Sequence, residues 1–131
     1  MKRYNNGFTL IELVVVIAFL GLASVLFLTQ KNNAEASARD EQRKTSINAM
    51  YYGLEESYYA AHKNYPANLS ADKLPAMDSA LLLDPNGISI EKSESDYRYT
   101  SIDCNDAGEC ASYSLRANLE GEADYVKDSR H

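Results

Sequence analysis

Gly7, Phe8 and Glu12 are the residues of this chain whose types and spacing could do chemistry, because of where the carboxylate falls. Glu12 is the one ionisable side chain in the run from Phe8 to Leu28, 21 residues that as a helix reach roughly 31 Å, the thickness of a bilayer core. Fifteen of those residues are Leu, Ile, Val or Phe. At roughly −0.3 to −0.6 kcal/mol each they outweigh the roughly +3 kcal/mol of one carboxylate, so the segment partitions into membrane with Glu12 in it. A carboxylate in low dielectric is costly without an opposite charge. Glu12 therefore calls for a cationic partner or, one turn from the helix end, for solvation at the headgroups.

Chemistry-bearing residues are sparse elsewhere. Cys104 and Cys110 flank Asn105-Asp106-Ala107-Gly108-Glu109, and Asp103, Asn105, Asp106 and Glu109 are oxygen donors close together. Their spacing does not match an EF-hand loop, and a solvated acidic turn is the expectation, with no metal and no cofactor. The chain has two histidines, no nucleophile beside a plausible base and no phosphate loop, so no catalytic residue is assigned and an enzyme is not expected.

The apolar run must be placed before its ends can be read. A cleavable secretory signal also follows a short basic region, here Lys2-Arg3, but its apolar core holds about 7 to 15 residues and its small-residue site comes afterwards. Here the run is longer, flows into Gln30-Lys31-Asn32-Asn33, and has its small residue, Gly7, in front. That order, a short basic leader, Gly7, Phe8, then Thr9-Leu10-Ile11-Glu12-Leu13, resembles the type IV pilin and pseudopilin family, the type IV filament subunits.

The resemblance implies cleavage between Gly7 and Phe8 by a prepilin peptidase and N-methylation of the new Phe8 amine. Residues 1–7 would be a leader peptide, 8–28 a transmembrane and filament-core helix, and 29–131 an extracytoplasmic domain that includes the second half of the helix. It also implies that Glu12, four residues from the Phe8 amine on one helical face, meets that amine on a neighbouring subunit during assembly. The implied partners are further copies in a helical filament, other pilins, the peptidase and the assembly platform in the membrane. Relatives often carry a proline shortly after the glycine matching Gly21, and the position here is Thr29. Melting of the helix in a filament would then rest on Gly21 and its β-branched neighbours. Charge counting does not decide orientation, because Lys31, Arg39, Arg43 and Lys44 face Lys2 and Arg3 across the run. The leader is placed in the cytoplasm and the domain outside.

The 103 residues after Leu28 suffice for one modest core. The chain carries −6, and −8 once Lys2 and Arg3 are lost, which opposes bulk binding of nucleic acid. From Gln30 to Ser46 mixed charges favour a solvated helix. Beyond it Ile47, Met50, Tyr51, Leu54, Tyr58 and Ala61 form an apolar stripe, interrupted by Gly53. His62 and Lys63 suit a helix end, Asn64 a left-handed cap, and Pro66 forbids continuation, giving one helix from about Phe8 to Lys63. Asn64-Tyr65-Pro66 also resembles the family's helix exit, a loop leading to the sheet. The tyrosines invite reading as a stacking surface for single strands, but no Arg or Lys interleaves Tyr51, Tyr52, Tyr58 and Tyr59, which favours packing.

After Pro66 the period becomes two. Asp84-Pro85-Asn86-Gly87 reads as a tight turn, Ile88 and Ile90 alternate with polar residues, and Tyr97 to Ile102 forms a β-rich run. Ala111, Tyr113, Leu115, Ala117 and Leu119 alternate with polar residues as a strand with one buried face. The fold expected is α+β, a long N-terminal helix on a small antiparallel sheet, the ladle fold of pilins. Outside the cytoplasm Cys104 and Cys110 would oxidise to a disulfide, which related pilins often carry near the C-terminus. Two cysteines without a nearby His make an incomplete zinc site. The function expected is that of a pilus subunit serving adhesion, motility or DNA uptake. A pseudopilin of a secretion or competence system, or a monomeric membrane-anchored binding protein, are the alternatives.

Overall fold

The apolar run and the polar stretch behind it form one helix, α1 (Leu10–Tyr52), in a computed structural model that describes residues 7–131. The chain divides into two compact units, one ending at Glu35 and the other comprising Ala36–His131. From Leu13 to Leu28 the helix is apolar on every side save for Ser24, and its side chains there are exposed. Uniform apolarity leaves no polar face to turn toward water, which marks a segment made for lipid or for other helices.

In the second unit the stripe works as a packing face. Ile47, Met50 and Leu54 are fully buried and join Tyr65, Leu69, Leu74, Leu82 and Ile90 with the sheet residues Tyr97, Tyr113, Leu115 and Ala117 in one core. The stripe then breaks, because a π-helical turn occupies Gly53–Tyr58 before a last turn, α2 (Tyr59–His62). The Tyr59 N–H bonds to the Leu54 carbonyl, and this extra residue in the turn swings later positions off the stripe. Tyr58 is accordingly half-buried and Ala61 exposed, against expectation. Gly53 has a packing reason, since a Cβ there would lie 3.1 Å from a methyl of the buried Leu74.

Two further expectations are corrected. The polar stretch is not wholly solvated: Asp40, Arg43 and Ser46 are buried, because acids far along the chain come to meet Arg43. The left-handed cap is Lys63 (φ 60°) and not Asn64, since the helix ends at His62 and the Lys63 N–H already bonds to the Tyr59 carbonyl at 2.8 Å.

Four antiparallel strands make the sheet: β1 (Tyr65–Pro66), β2 (Tyr97–Cys104), β3 (Glu109–Ala117) and β4 (Tyr125–Asp128). β3 is central, with β2 along one edge, while β1 opposite Glu109 and Cys110 and β4 opposite Ser114 to Ala117 share the other. The Tyr-Pro pair is therefore an edge strand in its own right, a position that tolerates proline's missing N–H. Tyr113, Leu115 and Ala117 face the core as alternation predicts, but Ala111 is exposed and the buried residue at that end is Cys110. Ile88 and Ile90 form no named strand. Their segment makes a single bridge, Leu83 with Ser89, around the Asp84–Gly87 turn. Buried Asp84 organises that turn by accepting from the N–H groups of Asn86 and Ile88 at 2.9 Å and of Asp96 at 3.0 Å.

Candidate assembly site

The helix start is built by Thr9. Its Oγ1 accepts the Glu12 N–H at 3.3 Å and its carbonyl accepts the Leu13 N–H at 3.1 Å, so Thr9 is the N-cap and Glu12 stands in the first turn. Thr9-Leu10-Ile11-Glu12 has the spacing of a capping box, a signal present in the sequence that the expectations above did not use. A carboxylate there also faces the positive end of the helix dipole. Phe8 lies just before the cap and is 76% exposed. Gly7 has open space where a Cβ would sit, so packing within the described chain does not demand glycine. Lys2, Arg3 and the rest of the expected leader before Gly7 lie outside the described residues.

The helix beyond carries an exposed apolar surface through Leu28, long and apolar enough to cross a membrane, with none of its most apolar window buried. Its few polar side chains are satisfied on the helix itself. Ser24 Oγ donates to the Leu20 carbonyl at 2.7 Å, and Thr29 Oγ1 lies 3.1 and 2.9 Å from the carbonyls of Val25 and Leu26. The helix runs unbroken through Gly21, where a Cβ would also meet open space.

In the second unit Cys104 and Cys110 are bonded to each other and stand opposite in the β2–β3 register. The turn between them is tied by Asn105, whose Oδ1 accepts from the N–H groups of Ala107 and Glu109 at 3.0 Å and whose Nδ2 donates to Glu109 at 2.9 Å. Two of the four expected oxygen donors are thus spent on each other. Among the described residues no cluster of His, Cys, Asp and Glu could hold a metal ion.

The helix tyrosines do meet cations, from Lys63 at the helix end over Tyr59 and from β4 and the residues after it. The Lys127 ammonium lies 5.4 Å from the Tyr51 ring centre and 5.7 Å from that of Tyr125, and Arg130 lies 5.4 Å from Tyr51. Arg130 also bonds Glu56 at 2.7 Å and the Tyr51 hydroxyl at 3.0 Å, so these contacts serve the chain's own packing.

Two polar centres escaped the sequence reading. Arg43 donates at 2.8 Å to each of Asp40, Asp96 and Glu120, while Arg39 grips Glu120 with two bonds of 2.8 and 2.7 Å. Asp40 in turn accepts from the N–H groups of Glu120 and Gly121, so the segment after β3 is fastened to the helix. The Arg39 and then the Arg43 bonds hold the Glu120 carboxyl at about 2. The second centre is Glu55, aimed into the core by the π-helical turn. It accepts from the Tyr113 hydroxyl at 2.9 Å, the Tyr65 hydroxyl at 3.1 Å and the Arg130 N–H at 3.1 Å. Burial first, and the Glu55 carboxylate second, raise both tyrosine hydroxyls above their usual range. The one sequence hint was an acid directly behind Leu54 on an otherwise apolar stripe.

The first unit is a capped, exposed and almost entirely apolar helix, and in the second the end of the helix packs on a small antiparallel sheet. Residues 2–28 match the prokaryotic N-terminal methylation motif. The chain is also similar to the type IV major pilin protein PilA of Myxococcus xanthus (strain DK1622), with 30% identity over 61 residues, 47% of this chain. That stretch spans 27% of the relative's length. No solved structure matches. The motif and the relative make the chain similar to type IV pilins, and the motif followed by a membrane-length helix supports anchoring in a membrane.

Proposed function

We propose that this chain is a structural subunit of a type IV filament, a pilin whose mechanism is helix packing. A prepilin peptidase cuts between Gly7 and Phe8 and the new Phe8 amine is methylated. The chain waits in the cytoplasmic membrane on its apolar helix with the domain outside. The assembly platform then draws it into a surface fibre with copies of itself and other pilins. The observation that carries this reading is the capped start of α1, which sets Glu12 in the first turn of an exposed and almost entirely apolar helix. In such surroundings the Phe8 ammonium of one subunit and the Glu12 carboxylate of the next each lower the other's cost, and only one stagger of the helices lets them meet.

Glu12→Ala is the direct test. The expected result is a processed, membrane-inserted chain with filament yield down by about tenfold or more, which corresponds to losing roughly 1.4 kcal/mol per subunit contact. Unchanged filaments would sink the pairing. Mass spectrometry of sheared surface fibres tests the wider reading through the N-terminal peptide, expected to begin at methylated Phe8. High abundance in the fibre marks a major pilin and low abundance a minor one. Processed chain with no surface fibre, under conditions of active secretion, would favour a pseudopilin.

A further inference from the structure

The second unit contains a cleft of about 780 Å³ that neither the core nor helix packing uses. It lies between the end of α2, the segment after β1 and the turn of the disulfide hairpin, with Tyr58, His62, Asn64, Asn68, Lys73 and Glu91 on its walls. One wall is a built aromatic surface. The His62 imidazole stacks on the Tyr58 ring, with centres 4.2 Å and planes 20° apart, and its Nδ1 lies 3.0 Å from the Tyr58 carbonyl. A carbonyl can only accept, so Nδ1 carries the hydrogen and Nε2 of the neutral ring is left as an acceptor. The side chains of Asn64, Asn68 and Glu91 have no hydrogen-bond partner among the described residues.

Those groups define what fits. An apolar ligand finds little apolar wall to bury against, unlike the usual small-molecule pocket. An anion would meet Glu91 and Glu109, and a cation would meet Lys73, so a net charge of either sign is opposed. A pyranose ring is neutral, with a C–H face for the imidazole–phenol stack and in-plane hydroxyls for two amides, a carboxylate and Nε2. We propose that this cleft binds a neutral mono- or disaccharide. The site lies within the second unit and is complete in a single copy, so it stands independently of filament assembly.

The test is saturation-transfer NMR on the full chain in a detergent without a sugar headgroup. Cellobiose and N,N′-diacetylchitobiose serve as probes, with glucuronate and glucosamine as charged controls. The expected result is transfer to the ring C–H protons of at least one neutral probe. Affinity should fall about fivefold or more in both His62→Ala and Asn68→Ala, each removing about one neutral hydrogen bond. Both residues are exposed, so the two variants should melt with the parent chain. No transfer to either neutral probe up to about 10 mM would overturn the proposal. So would transfer unchanged in both variants, or stronger binding of a charged control.

Discussion

Arg43 shows how much one side chain can hold. It is 4% exposed and faces three carboxylates that come from the helix, from the residue just before β2 and from the segment after β3. Removing it leaves those acids facing one another, and Arg43→Met should cost roughly 3 to 5 kcal/mol in urea unfolding, with Arg43→Lys recovering only part. The same cluster sets an acid limit. Burial alone would raise the Asp40 carboxyl, but the Glu120 and Gly121 N–H groups and Arg43 together bring it below its ordinary value, and Glu120 falls from 4.5 to about 2. A carboxyl that is lower folded than unfolded stabilises the fold above its unfolded value. That contribution drains as pH drops through the folded one. The melting temperature should therefore decline between pH 4.5 and about 2, and Glu120→Gln should flatten the decline. Parallel curves for the variant and the parent would contradict this.

Among the elements, the β2–β3 hairpin carries the covalent tie. A bridge over six residues of separation should contribute about 2 kcal/mol on the chain-entropy model. Cys104→Ala with Cys110→Ala should lower stability by about that much, and reductant should lower the parent to the same level. Alkylation of the unreduced chain should find no free thiol. The helix is decided differently in its two halves. Its first half needs only a cap and apolar side chains. Thr29 keeps its N–H and folds its hydroxyl onto two carbonyls, so α1 continues. Its second half departs from ideal period at Gly53, where Leu74 presses close and the π-helical turn redirects Glu55 inward. Alternation also named most of β2 and the inner face of β3. It missed β4, four residues in which only Tyr125 and Lys127 turn partly inward, a pattern too short to stand out from a loop.

At the scale of the whole molecule, the two units divide the solvents between them. Every residue of the core cluster belongs to Ala36–His131, while the exposed apolar run belongs to the unit ending at Glu35. A fragment of residues 36–131 should therefore fold in water with its disulfide, giving dispersed amide NMR signals and a monomeric elution volume. The full chain should need detergent. Collapsed amide spectra for the fragment would show that the first unit is required for folding. By itself the sequence determined the membrane-length apolar helix, Glu12 as its one ionisable side chain and the main strands, because each rests on neighbours within a few positions and on short periods. Only the tertiary structure decided that Arg43 and Glu55 are buried and that Tyr58 and His62 wall a cleft. Arg43 meets Asp96 and Glu120, Glu55 meets Tyr113, and the cleft joins the helix end to the disulfide turn, partners tens of residues apart that no short linear period could pair.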